Sequence, residues 1–456
     1  MLLLAMTYVC YTFRPDLSTG SSKLFSIAFT RFSYVFLFLQ NVKKAFFFLH
    51  AIIIPFRIFL HKGEIYMISD RIAAKLSSGS MIRKMFEEGN RLKAIYGAEN
   101  VFDFSIGNPD LEPPKEVIDA ICAYAAADIP GKHSYMSNSG YASTRNAVAD
   151  KLTRTSSVKV EADAVCMTVG AAGAMNAVLR SVLDPGDEVI VLSPFFMEYL
   201  SYVDNHNGIP VIVPTMKDTF MPDIEKIREA VTPKTKAIIV NSPNNPSGVV
   251  YPADVLDELN TCLLSQDHVI HVISDEPYAE LIYDGAVTPC SLDHFDNVIV
   301  CYSWSKSLSL PGERIGYTAV SPRHADYEQL CPAIVMCNRI LGSVNAPAFF
   351  QKIIEQAIDA KSDISNYEYR RNLLYDIITR AGFVCNKPAG ALYLFVKSPV
   401  DDFAFAAICA KHNLLVVPGS AFSCPGYFRL AFCVSESTIR GSEKAFMAIG
   451  KELNLS

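Results

Sequence analysis

The chain has 456 residues, half of them apolar, a formal net charge of −6 and twelve cysteines. That length is ample for a large buried core shared among two or three domains. An acidic balance with no long run of Lys and Arg excludes a nucleic-acid partner and leaves small molecules as the expected ligands. Cysteines scattered singly, with no C-x-x-C pair and no Cys/His cluster, exclude a disulfide framework and a structural metal site, and point to a reducing, cytoplasmic compartment.

Residues 1–66 differ from the rest. They hold 11 of the 28 Phe residues and seven basic side chains against two acidic ones, Asp16 and Glu64. Their apolar runs are broken by Arg31, Lys43, Lys44, His50, Pro55 and Arg57, so none reaches the roughly 20 residues of a spanning helix. No small-residue cleavage site follows them, as a signal peptide would require. Lys62-Gly63-Glu64 is a translation that purine-rich, ribosome-binding DNA gives, and Met67 follows at once, so Met67 is the expected start; a membrane-associated segment is the competing reading. Residues 67–456 alone carry 34 basic and 45 acidic side chains, a net charge of −11.

Short β-rich runs alternate with helical patterns from Val165 onward. The predicted strands are 165–169, 188–192, 236–240, 269–274, 297–302 and 314–320, the pattern of an α/β domain with a largely parallel sheet. No G-x-G occurs, which excludes a nicotinamide-binding Rossmann fingerprint. From about Ala346 the pattern becomes a long charged helix, 348–381, followed by strands at 391–396 and 428–432, which reads as a second, smaller α/β domain.

Ligands of open parallel sheets bind beyond the carboxyl ends of the strands. Gly170-Ala171-Ala172-Gly173, Asn245, Asp275 and Lys306 all follow predicted strands and are expected to converge. An isolated Lys is most often a solvated surface residue. Lys306, however, follows an apolar strand in Ser303-Trp304-Ser305-Lys306, with Arg314 eight residues on. A pocketed amine can form a Schiff base with an aldehyde, and hydroxyls with an Arg fork suit a phosphate. Asp275 could be a plain helix cap; beside a pyridine cofactor it would keep the ring nitrogen protonated, and Tyr278 could bond the ring's phenolic oxygen. Asn241 to Gly248 is a turn by composition, and Asn245 in it is a second candidate donor to that oxygen. Gly170 to Gly173 opens a helix whose free N–H groups make an anion site. Ser303-x-x-Lys306 also fits the S-x-x-K of penicillin-binding enzymes, but the S-D-N and K-T-G partners are missing.

Together, residues 105–110, 135–140 with Arg145, 168–174, 184–187, 241–248, 274–280, 303–316, 388–393 and 417–432 resemble, in order, the class I/II aminotransferases of pyridoxal 5′-phosphate (PLP) fold type I. The resemblance covers nearly everything from Met67 to Ser456. It implies an α/β fold with a large PLP-binding domain, 113–345, and a smaller α/β domain, 346–456, joined by an arm and further small-domain residues, 67–112, so that both chain ends build the small domain. It implies PLP-dependent transamination between an amino acid and a 2-oxo acid by a ping-pong mechanism, with Lys306 as Schiff-base lysine and proton carrier, Asp275 on the pyridine nitrogen, and Tyr278 and Asn245 on the phenolic oxygen. Phe196 would stack on the ring. Arg314, Ser303, Ser305 and the backbone of Ala171 and Ala172 would bind the phosphate. Arg429 would clamp the substrate carboxylate, with Gly107 and Asn245 lining that end of the pocket. Tyr135 would reach the phosphate of the neighbouring subunit, which implies a homodimer with shared active sites.

Two features depart from the family pattern. Ala171 and Ala172 replace the Gly and the hydroxyl or Lys of many relatives, leaving backbone contacts to the phosphate. Leu341 occupies the place of a second substrate Arg in dicarboxylate-specific relatives, with Arg339 two residues away, so selection for aspartate does not follow. The same fold and cofactor also run β-elimination, decarboxylation and synthase chemistry. A PLP-sensing regulator would need a DNA-binding module, and residues 1–66 show no helix-turn-helix pattern.

Overall fold

Near-continuous runs of Val and Ile form strands that are apolar on both faces, as a sheet covered on both sides requires. In the computed structural model, which describes residues 60–61, 64–65, 68–78 and 81–455, seven strands make the central sheet: β1 (Val165–Thr168), β2 (Glu188–Ser193), β3 (Ile209–Pro214), β4 (Thr235–Asn241), β5 (His271–Asp275), β6 (Val298–Ser303) and β7 (Gly316–Val320). Their spatial order is β1-β7-β6-β5-β4-β2-β3. Alternate residues enter opposite cores. Met167, Ile190, Ile238, Val272 and Val300 pack on one face. Cys166, Val191, Ile239, Ile273 and Cys301 pack on the other, against Ala174, Met175 and Val178 of helix Gly170–Val182.

Only β7 runs antiparallel to both its neighbours, with Gly316 opposite Thr168 of β1 and Ser303 of β6. Its beginning therefore lies at the edge where the parallel strands end. Arg314, expected inside this strand, stands before it in a left-handed conformation, φ 53°. For a bulky residue that backbone costs about 1–3 kcal/mol, strain of the kind that collects at functional sites. β3 escaped sequence reading because it is an edge strand with Pro at positions 210 and 214 and half-exposed side chains.

The smaller core joins distant parts of the chain. Tyr427–Ala431 pairs antiparallel with Tyr393–Lys397 and with Val417–Pro418. Leu414–Leu415 pairs in parallel with Phe102–Asp103. Phe104 then packs with Leu374, Phe405, Phe428 and Phe446, so both chain ends build this core. The predicted helix 348–381 is two helices, Ala348–Gln356 and Ser365–Arg380. Ser362 Oγ donates to the Ser307 carbonyl at 2.6 Å, tying down the break, and Asp363 accepts from the Ser365 amide at 3.0 Å. The first helix sends Ile353 and Ile354 into the larger core, whereas Tyr367 on the second enters the smaller one.

The chain divides into two units, residues 1–78 and 79–456. In the first, Leu60–His61 pairs antiparallel with Glu64–Ile65, and helix Asp70–Ser78 follows. The expectations for residues 1–66 otherwise fall outside the described residues. No helix among the described residues is long and apolar enough to cross a membrane.

At the opening of β5, His271 stacks on His324, both buried. The Asp326 amide donates to His324 Nδ1, so His324 Nε2 carries the hydrogen and donates to His271 Nδ1 at 2.9 Å. Burial pushes both imidazoles down to about 4. With folded-state values below the unfolded 6.5, the pair's stability is complete above pH 6.5 and is lost as pH falls towards 4, at about 2 kcal/mol per imidazole by pH 5. Thermal melts at pH 7 and pH 5 test this: the His271→Leu/His324→Leu double variant should lose less Tm between the two than the parent, and an equal loss would clear the pair of the effect.

Candidate active site

The carboxyl ends of the parallel strands and the start of β7 open into one cavity of about 350 Å³. Volume and position are those of a small-molecule site at the edge of an α/β sheet. Ala171 and Ala172 reach it from the first turn of helix Gly170–Val182, and Phe196 from the loop after β2. Asn245 comes from the turn after β4. Asp275 is the last residue of β5 and Ser303 the last of β6, with Ser305 and Lys306 on the one-turn helix Trp304–Ser307. Tyr278, Arg314, Gly107 and Arg429 complete the wall. Of the residues assigned a cofactor or substrate contact from sequence, Tyr135 lies elsewhere, 89% exposed and lining no part of its own chain's cavity.

Asp275 sets the electrostatics at the floor. Its Oδ2 accepts from Tyr199 Oη at 2.5 Å, while Oδ1 is buried without any partner. Burial pushes the carboxyl up to about 7, against the pull of the Tyr199 bond. A cationic N–H beside Oδ1 would reverse that shift and satisfy the orphan oxygen, which is the demand a protonated pyridine meets. Asn241 fixes the surroundings: its Nδ2 donates to the Asp275 carbonyl and its Oδ1 accepts from the Asn245 amide, each at 2.8 Å.

Lys306 Nζ donates to the Gly107 carbonyl at 2.7 Å. Desolvation lowers its pKa to about 8; the guanidiniums of Arg429 and Arg314 act in the same direction and Cys433 opposes them. The lowered pKa leaves more of the amine neutral near neutrality, the form that attacks an aldehyde or takes a proton.

Arg314 and the helix start form the anion end. A Cβ on Gly170, whose φ is +67°, would come within 3.0 Å of Arg314 Nη2. Only a bare backbone allows this guanidinium so close to the unpaired N–H groups of the first turn. The opposite end is built around Arg429, 3% exposed. Its Nη1 donates to Asn245 Oδ1 at 3.1 Å and its Nη2 to the Ser105 carbonyl at 2.7 Å, while Nε is buried without a partner. The guanidinium lies 4.3 Å from the Tyr393 ring centroid and 4.7 Å from that of Phe422. Both its acceptors are neutral, so its full charge remains for an arriving carboxylate.

Tyr199, Tyr202, Tyr393 and Asn241 also line the cavity and were not singled out from sequence. Tyr393 Oη meets Tyr278 Oη at 3.0 Å, and a Cβ at Gly107 would fall 2.0 Å from it, so this wall admits glycine alone. A Tyr on an amphipathic helix or an alternating strand reads as core, and of the four only Tyr393 and Asn241 lay in stretches that pointed here. Tyr199→Phe removes the donor to Asp275 and should weaken PLP retention by about ten-fold. Titration of PLP into stripped protein, followed by absorbance, measures it; unchanged affinity would show the hydroxyl to be a bystander.

Comparison with known proteins agrees with this geometry. The family model described as aminotransferase class I and II matches residues 99–442. The probable aspartate/prephenate aminotransferase of Thermus aquaticus is 34% identical over 354 residues, covering 75% of this chain and 89% of its own. Aromatic-amino-acid aminotransferase 2 of Thermococcus litoralis is 28% identical, covering 85% and 99%. Among solved structures, an aminotransferase of Eubacterium rectale superposes with a TM-score of 0.83 at 39% identity over 85% of this chain and all of its own. Aspartate aminotransferase of Thermus thermophilus with maleate gives 0.73 at 28% identity, over 84% and 100%. The chain therefore belongs to the class I and II aminotransferases, enzymes of the aspartate aminotransferase fold that use PLP to move an amino group between an amino acid and a 2-oxo acid.

Proposed function

We propose that Lys306 is the residue that holds PLP and carries the substrate proton, with Asp275, Tyr278 and Arg429 as its principal partners. The observation that carries this reading is the pairing of a buried amine of lowered pKa with a buried carboxylate oxygen that no group among the described residues satisfies, in one cavity. When bound, PLP supplies an aldehyde that condenses with amines and a ring that draws electrons from the substrate Cα. Asp275 Oδ1 would accept from the ring nitrogen, and Phe196 would cover the ring face. Tyr278 and the Asn245 amide hydrogens would donate to the phenolic oxygen. Arg314, Ser303, Ser305 and the N–H groups of Ala171 and Ala172 would hold the phosphate.

Arg429 receives the α-carboxylate in a fork that fixes the Cα side facing Lys306. Lys306 Nζ, neutral for part of the time and steered by the Gly107 carbonyl, removes the Cα proton and would deliver it across the amino nitrogen, two atoms away. The low dielectric beside the aromatic wall strengthens each of these contacts.

Within its own chain the cavity shows three cations, Lys306, Arg314 and Arg429, and each already has a task. Leu341, 42% exposed, and Arg339, also exposed, do not line it. This supports a donor with a neutral side chain over a dicarboxylate. Single-turnover spectra with phenylalanine, leucine and aspartate test the reading: the neutral donors should convert the bound cofactor at least as fast as aspartate, and Lys306→Ala should do so with none. Aspartate faster by more than about ten-fold, or full turnover by Lys306→Ala, would overturn it.

We also propose a cytoplasmic homodimer in which Tyr135 completes the phosphate site of the partner. Its exposure in the single chain, and the exposed apolar surface of Met336, Ile340, Leu341 and Val344, support this. Mixing Tyr135→Ala with Lys306→Ala protein should regain up to about a quarter of the parent activity, because one mixed site in two is intact. No recovery under conditions that exchange subunits would count against shared sites.

A further inference from the structure

The period-two alternation that aims Asp275 and Ser303 into the active-site cavity sends their neighbours the other way. Glu276 and Trp304 line a second cavity, of about 180 Å³, on the reverse face of the same two strand ends. Trp304 thus separates Ser303 from Ser305 in sequence while facing away from the site they line.

Three aromatic rings form one wall. Trp304 meets Tyr302 edge-on at 5.4 Å and Tyr317 at 5.4 Å, and Tyr302 stacks on Tyr317 at 5.1 Å. Val148, Leu152 and Ile358 supply further apolar lining. Two polar atoms of this lining are buried without partners: Trp304 Nε1, on a side chain 1% exposed, and Thr288 Oγ1. Each keeps a standing desolvation penalty that an acceptor in the cavity would remove.

The charged groups are already matched. Glu276 Oε1 accepts from Ser274 Oγ at 2.7 Å and from Ser291 Oγ, and Lys151 Nζ pairs with Glu280 at 2.8 Å, with Tyr302 Oη donating to the same Glu280 oxygen. No cation among the lining residues is left for an anion, and both carboxylates would repel one. A dry protein cavity of about 150 Å³ is known to hold benzene, so this one accommodates a single substituted ring.

We propose that this rear cavity is a second ligand site, taking a small neutral aromatic molecule with a carbonyl acceptor, to which Trp304 Nε1 and Thr288 Oγ1 donate. Trp304 is the only tryptophan in the chain, so its emission reports occupancy directly.

The test is a fluorescence titration of the PLP-loaded enzyme with benzamide, benzoate and toluene. Benzamide should change the emission saturably in the millimolar range. Toluene, which lacks an acceptor, should bind about five-fold more weakly, and benzoate about ten-fold more weakly because its charge must be desolvated beside two carboxylates. Thr288→Phe should fill the cavity and abolish the benzamide signal while transamination continues. Thr288→Val, which keeps the shape, should weaken benzamide about three-fold and leave toluene unchanged. No saturable change with benzamide, equal affinity for all three probes, or an unaltered titration in the folded Thr288 variants would overturn the proposal.

Discussion

A carboxylate taken out of water at the end of β5 is the constraint on which the rest of the site depends. On the Tyr199 bond alone Asp275 is not fully ionised near neutrality, since burial already holds it at about 7. The energy that desolvation stores in this one group is available to whatever brings a positive N–H to its free oxygen. The same exclusion of water lowers Lys306 and leaves Arg429 with two neutral acceptors. One dry cavity therefore prepares an acid–base amine, an anion clamp and an unsatisfied acceptor together.

Geometry keeps these groups in one place because of a single reversed strand. β7 is antiparallel, so the segment that precedes it, with Arg314, arrives at the edge where parallel strands finish. Its first residue, Gly316, has the Tyr302 carbonyl 2.4 Å from where a Cβ would lie, and so lets β7 seat beside the Gly170 turn. Left-handed backbone at Arg314 is the local cost of turning the guanidinium towards that turn.

Much of this was legible in the sequence. Apolar runs ended by Asn, Asp or Ser-x-x-Lys locate the strand ends, and the parallel-sheet rule then brings Asp275, Asn245 and Lys306 together before any coordinate is known. Strand direction was not legible: residues 314–320 have the composition of any buried strand, and pattern alone does not say which way β7 runs. The break at 357–364 was hidden as well, because Ser362 and Asp363 act through distant and local bonds that a helical periodicity does not register. Tyr199, Tyr202 and Tyr393 look like core aromatics, and it is the tertiary position of their hydroxyls that makes them part of the site.

The bond from Arg429 to the Ser105 carbonyl spans 324 residues of chain. During synthesis the larger core, which closes with residues up to Ala357, can consolidate first, while the Phe102–Phe104 segment has neither its Leu414–Leu415 strand partner nor the Phe428 ring. At synthesis rates of about 5–20 residues per second that segment waits about 16 to 65 s for its counterpart to emerge. The carboxylate clamp is thus the last part of the pocket to be assembled, and a nascent chain released short of Arg429 would carry a nearly complete cofactor cradle with no means of gripping a substrate.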